Sequence, residues 1–278
     1  MPSIAPCRLL LAALCLWLPS VAAATSQTVR ANGVDIAYDD TGSGAPLVLI
    51  HGFGDCAAAW EPFTAEFAKH YRVISMELRG HGASGGFDGP FLFEASAGDL
   101  LALLDHLGLE RVRALGISAG GMTLLHAAVR KPGRIEAMAV IGAAHYFPEQ
   151  AREVMRGVPE NVPAEVRASF EQCASRGPTQ AAGLLQRFHD LKDNHEDIEL
   201  SPAELGTIAA RTLVVHGDRD VFFPVDIPVA MYGAIPGAQL WIVPGGDHVP
   251  IYGPHRAHFV ETVLRFLAEP PEGHGAPP

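Results

Sequence analysis

Residues 111–117 form a short apolar run that ends in Leu115-Gly116-Ile117-Ser118-Ala119-Gly120-Gly121 and passes directly into an alanine- and leucine-rich stretch, 119–131. An apolar run, a small-residue break and then helical periodicity predict a strand, a sharp turn and a helix, with Ser118 at the bend. A serine so placed needs a strained turn to project its oxygen beyond the sheet edge, and side chains at Gly116 and Gly120 would collide with neighbouring backbone. A G-x-S-x-G match alone is also what a small-residue strand-to-helix turn produces in a chain with 29 glycines, so its meaning depends on the rest of the chain.

Two later segments repeat the arrangement of an apolar run ending in a polar loop. Residues 212–216 lead into His216-Gly217-Asp218-Arg219-Asp220, with Pro224 beyond, and residues 239–243 lead into Pro244-Gly245-Gly246-Asp247-His248. The chain order is serine, aspartate, histidine, each just past the end of a predicted strand.

Between these points the punctuation is regular. Residues 28–31 and 34–39 flank Asn32-Gly33, a two-residue hairpin signal, and a glycine-rich loop at 41–45 leads into an apolar run ending at His51. Helical spacing covers 57–70; then strands at 72–77, 111–117 and 135–141 alternate with helices at 94–107 and 119–131. Such alternation implies right-handed crossovers and a parallel sheet covered on both faces, with ligands gathering at the carboxyl ends of the strands. It stops after Ala144. Residues 148–210 hold amphipathic helical segments near 148–156, 163–175, 179–191 and 202–209, and then strands at 212–216 and 239–243 resume with helices at 227–234 and 254–268. The proline- and glycine-rich stretch 270–278 predicts disorder.

Taken together, these pieces resemble the α/β-hydrolase superfamily over about residues 29–268. To the three motifs above are added His51-Gly52-Phe53-Gly54 after 47–50 and Leu78-Arg79-Gly80-His81-Gly82-Ala83-Ser84 after 72–76. Jointly they are specific for the fold and poorly specific for a substrate. The resemblance implies an α/β-hydrolase fold: a mostly parallel twisted sheet with helices on both faces and a helical cap, 148–210, inserted between core parts 25–147 and 211–269. It further implies that the cap roofs an active site and selects what enters.

The chemistry of the residues supplies roles. A serine hydroxyl is a poor nucleophile at neutral pH, so Ser118 needs a base, and His248 is placed to accept and return its proton. An acid must hold that imidazole in one tautomer. Asp218 and Asp220 compete for the task; the His216-Gly217-x-x-Asp220 spacing followed by Pro224 resembles the family pattern and favours Asp220, leaving Asp218 to cap the turn. The charge that develops on a carbonyl oxygen needs preorganised donors; the backbone N–H of Ala119 is one, and by resemblance that of Phe53 is the other. His51, His81 and His126 read as structural. Phe53, Met122, Tyr146, Phe147, Phe222, Phe223 and Val249 stand beside motif residues and are expected to line an apolar pocket. Arg79 and Arg219 are near enough to the motifs to leave a carboxylate clamp open. Residues 188–197 contain histidines and acids without ligand spacing, so a solvated acidic face is expected there, with no metal and no cofactor.

With 31 acidic against 20 basic residues, the net charge argues against nucleic acid or an anionic membrane as partner and leaves a small molecule. Arg8, the apolar run 9–18, the break at Pro19-Ser20 and Ala22-Ala23-Ala24 before Thr25 make residues 1–24 a secretory signal peptide, too short in its apolar part for a span, and imply an exported, periplasmic or secreted protein. Cleavage would leave Cys56 and Cys173, either bridged or as two separate buried thiols. The expected activity is cleavage of a small to medium, moderately hydrophobic ester or lactone. A carbon–carbon bond hydrolase or cofactor-free perhydrolase would use the same three residues, and a receptor-like binding protein on this fold is the rival from another class. A serine at position 118 excludes the dehalogenase- and epoxide-hydrolase-like branches, which carry aspartate there.

Overall fold

The computed structural model describes residues 25–269; the signal-peptide segment 1–24 and the stretch 270–278 lie outside the described residues. The chain opens with β1 (Thr25–Ala31) and β2 (Val34–Gly42), paired antiparallel with Ala31 opposite Val34, so that Asn32 and Gly33 alone make the turn. Both have positive φ, +46° and +83°, the conformation a two-residue turn needs to match strand twist. β2 runs on to Gly42, so the expected loop at 41–45 begins two residues later, because Thr41 and Gly42 still pair with the next strand but one.

The core follows as β3 (Pro46–Ile50), α1 (Glu61–Phe67), β4 (Arg72–Met76), α2 (Phe93–His106), β5 (Val112–Ile117), α3 (Ala119–Arg130) and β6 (Ile135–Ile141). Four helices come next, α4 (Glu149–Arg156), α5 (Ala164–Gln172), α6 (Pro178–Asp190) and α7 (Pro202–Leu205), before β7 (Arg211–Gly217), α8 (Asp226–Ala234), β8 (Gln239–Val243) and α9 (Arg256–Ala268). The eight strands form one sheet in the order β1-β2-β4-β3-β5-β6-β7-β8, with β3 to β8 mutually parallel. Parallel strands buried on both faces read as near-continuous apolar runs, which is why Leu47 to Ile50 and Val73 to Met76 carry no polar alternation apart from Ser75. One face packs on α2, α3 and α8; the other is covered by α1 and α9, where Phe63, Phe67 and Phe259 are fully buried. Each such ring contributes about 1.5–3 kcal/mol by leaving water. Among the described residues, no helix is long and apolar enough to cross a membrane.

The segment from α4 to α7 lies between β6 and β7 and carries its own small cluster, including Val158, Phe170, Leu184 and Leu185, packed against Phe53 of the core. Polar contacts tie it down: Gln180 Nε2 donates to the carbonyls of Gly80 and Gly82 at 3.2 and 2.9 Å, and Arg187 Nε donates to Gly89 O at 3.1 Å. A disulfide joins Cys56, just after β3, to Cys173, just after α5, with Cα atoms 5.4 Å apart. It closes a loop with a sequence separation of 117. Cross-linking so long a loop raises the free energy of the unfolded chain by about 5 kcal/mol on chain-entropy grounds. The Cys56→Ser/Cys173→Ser double variant is therefore expected to unfold at clearly lower denaturant than the oxidised parent. A midpoint unchanged on substitution or reduction would mean that the bond adds no stability.

Candidate active site

Ser118 follows β5 directly and has φ +48° and ψ −114°, a region that a side chain enters only under constraint. The constraint is visible around it: the Ser118 N–H donates to Ile141 O at 2.7 Å, and the turn is squeezed between β3 and α3. A Cβ at Gly116 would stand 2.5 Å from Gly121 N, and one at Gly120 would stand 2.3 Å from Ile50 O. The glycines at these two positions are what let the bend form.

Asp220 lies three residues past β7 and His248 five past β8, so both loops leave the same edge of the sheet as Ser118. The structure brings the three together. His248 Nε2 is 3.0 Å from Ser118 Oγ, and His248 Nδ1 is 2.8 Å from Asp220 Oδ2. The Asp220 side chain is fully buried. Burial would raise its carboxyl, but the hydrogen bonds from His248 and from the N–H groups of Phe222 (2.7 Å) and Phe223 (3.2 Å) outweigh that and hold it below its ordinary value. Asp218 sits outside this relay: its Oδ1 accepts from Gly245 N–H at 2.6 Å and ties the acid loop to the histidine loop.

The N–H of Ala119 belongs to the first turn of α3, whose donors have no carbonyl partner inside the helix, and Phe53 stands in the turn after β3; both residues line the cavity beside Ser118. His51 works one layer below. Its Nε2 accepts from Leu78 N–H at 3.1 Å while Nδ1–H donates to Gly52 O at 2.7 Å, which clamps the turn carrying Phe53. His81 is fully buried against the rings of Phe53 and Phe91, and burial pushes its imidazole down to about 3, so it stays neutral; its Nδ1 lies 2.9 Å from Arg79 O. His216 is likewise held below its ordinary value by burial, with Nε2 2.9 Å from Phe223 O, and it fixes the turn behind Asp220. Its role is not legible from the sequence, although it stands on β7, the strand that leads to Asp220. His126 is buried and stacked on Phe93.

A cavity of about 240 Å³ opens on Ser118 and His248. Phe53, Met122, Phe147, Phe222, Phe223 and Val249 line it as the sequence predicts. Tyr146 does not line it. Its ring packs instead on that of His145, centroids 4.8 Å apart, in the bend after β6. Much of the remaining wall is not legible from the motifs because it comes from the insert: Met155 from α4, Val162, Val166 and Phe170 around α5, Leu185 and Phe188 from α6; Asp55, Phe93 and Ile117 of the core add to it. Part of the signal is present in the spacing, since Val166 and Phe170 stand four apart on one face of α5. The region 188–197 is also less solvated than expected: Phe188 and Leu191 face the cavity, and the Asp197 carboxylate accepts from the N–H groups of Phe93 (2.7 Å) and Glu94 (3.1 Å) at the start of α2. Arg79 is no clamp for a ligand, because its guanidinium is spent on Asp99 at 2.6 and 2.7 Å, and Arg219 is exposed away from the cavity wall.

A sequence model described as the alpha/beta hydrolase fold matches residues 45–206. The chain belongs to the alpha/beta hydrolase fold family. Among curated proteins it is similar to the human serine hydrolase BPHL, 29% identical over 81% of this chain and 80% of that protein. It is also similar to 2-hydroxy-6-oxononadienedioate/2-hydroxy-6-oxononatrienedioate hydrolase 2 of Pseudomonas putida, 27% identical over 84% of this chain and 92% of that one. Among solved structures, a meta-cleavage product hydrolase from Pseudomonas fluorescens shares the fold with a TM-score of 0.73, at 22% identity over 87% of this chain and 97% of that one.

Proposed function

We propose that the chain is an exported serine hydrolase that cleaves a small to medium, moderately hydrophobic carboxylic ester or lactone through an acyl-enzyme. The observation that carries this reading is the relay from Ser118 through His248 to Asp220 opening on an apolar cavity. Ser118 Oγ attacks the carbonyl carbon while its proton passes to His248 Nε2, and Asp220 stabilises the imidazolium that results. The N–H groups of Phe53 and Ala119 donate to the oxyanion. Collapse breaks the ester bond, the departing alkoxide oxygen takes the proton from His248, and the acyl group stays on Ser118. A water that gives its proton to His248 then attacks the acyl carbon, the bond to Ser118 Oγ breaks, and Ser118 Oγ takes that proton back from His248 as the acid is released.

The cavity volume supports this size class. At roughly 30 Å³ for each water-sized group, 240 Å³ holds about eight such groups, which suits a short to medium acyl chain. Turnover of a series of p-nitrophenyl esters is expected to peak at about four to eight acyl carbons and to fall on either side. A folded protein that binds apolar ligands yet turns over no ester would favour the receptor-like alternative. Carbon–carbon bond hydrolysis by the same three residues is the second reading, favoured by the similarity to the Pseudomonas putida hydrolase; assaying a 2-hydroxy-6-oxo-dienoate beside the esters decides between them.

Export is proposed from the charge, apolar run and alanine site within residues 1–24, supported by the Cys56–Cys173 bond, a linkage that persists in oxidising compartments. Protein matured in a bacterial host is expected to begin at Thr25 or within a few residues of it. N-terminal sequencing that finds Met1 on soluble cytoplasmic protein would overturn this.

A further inference from the structure

Building on the hydrolase reading of the same cavity, we propose that Asp55 makes the site select by charge: neutral and cationic substrates enter, and substrates bearing a free carboxylate are refused. Among the described lining residues Asp55 is the one acid, and none is lysine or arginine. The nearby guanidiniums are committed elsewhere. Arg79 is paired with Asp99 at 2.6 Å; Arg152 donates to the carbonyls of Phe147 (3.1 Å), Asn194 (2.9 Å) and Lys192; Arg187 donates to Gly89 O.

The Asp55 carboxylate is held in place. It lies two residues past Phe53 and beside the disulfide, half-buried, with Oδ1 accepting from Cys56 N–H at 2.9 Å. No lysine, arginine or histidine among the described residues forms an ion pair with it. Tyr252, across from it, spends its hydroxyl on Ala59 O at 2.9 Å. A carboxylate without a counter-charge at the wall of an apolar cavity acts through a low local dielectric, where like charges several ångströms apart repel by a tenfold factor or more in affinity. An entering carboxylate would also lose its water with no cation to replace it. A neutral group suffers neither penalty, and a quaternary ammonium is attracted.

The test compares p-nitrophenyl pentanoate, mono-p-nitrophenyl glutarate and p-nitrophenyl 4-(trimethylammonio)butanoate, which are similar in reach and differ in terminal charge. The neutral ester is expected to exceed the anionic one in kcat/KM by about a hundredfold at low salt. Asp55→Asn keeps the acceptor for Cys56 N–H and should shrink that ratio by about tenfold, while Asp55→Glu should preserve it. An anionic ester used as well as the neutral one, or an Asp55→Asn ratio equal to the parent's, would overturn the proposal. Should Asp55→Asn not fold, the same ratio measured in Asp55→Ser decides, an unchanged value overturning the proposal. Absence of turnover of the neutral ester by the parent would instead count against the hydrolase reading. Charge selection is then read from calorimetric affinities for 4-phenylbutanol, 4-phenylbutyrate and 4-phenylbutylammonium, where equal affinities overturn it.

Discussion

Ser118→Ala is expected to lower kcat/KM for a small neutral ester by about a thousandfold or more while leaving the circular dichroism spectrum and the thermal midpoint close to the parent's. The two halves of this expectation have separate causes. Activity falls because the hydroxyl 3.0 Å from His248 Nε2 is the group proposed to attack, and the proposed oxyanion donors, the N–H groups of Phe53 and Ala119, can support only a residual rate without it. The fold is kept because the bend depends on Gly116, Gly120 and the bond from Ser118 N–H to Ile141 O, none of which involves the hydroxyl. Ser118→Gly should be equally inactive and more stable by about 1 kcal/mol, since glycine accepts a φ of +48° without strain. A folded Ser118→Ala protein that keeps most of its turnover would show that another group attacks.

What the sequence displays and what it hides divide along a physical line. The strands of the core are legible because a parallel sheet covered on both faces leaves short apolar runs bounded by glycine and proline, as Leu47 to Ile50 and Thr212 to Val215 do. The loops bearing Ser118, Asp220 and His248 then follow from chain order, since parallel strands all end on one side. The cavity wall is less legible. The amphipathic segments of the insert can be read from periodicity, but which stripe faces the core depends on how α4, α5 and α6 dock, and Phe170 over Gly54 is a product of that docking. Tyr146 and Phe147 show the same limit at single-residue scale: adjacency to a motif does not say which of two neighbours turns inward. Nor does spacing reveal that Cys56 and Cys173, 117 residues apart in sequence, come within bonding distance.

Asp220→Asn is expected to lower turnover by about 10³–10⁴-fold, and Asp218→Asn by less than about tenfold, although the two changes are chemically identical and two residues apart. The hydrogen bonds decide the asymmetry. Asp220 Oδ1 accepts from two backbone N–H groups, those of Phe222 and Phe223, so an asparagine must keep its carbonyl oxygen there and present its NH₂ to His248. That NH₂ donates to His248 Nδ1, which places the ring proton on Nε2. An Nε2 that carries a proton cannot accept one from Ser118 Oγ, and the relay is broken with every heavy atom in place. Asp218 meets a single backbone donor, Gly245 N–H, through Oδ1, and asparagine retains that acceptor. Turnover of both variants on one ester, with circular dichroism to establish folding, measures the difference. Heavier loss in Asp218→Asn than in Asp220→Asn would transfer the acid's role to Asp218 and require the loop after β7 to rearrange when substrate binds.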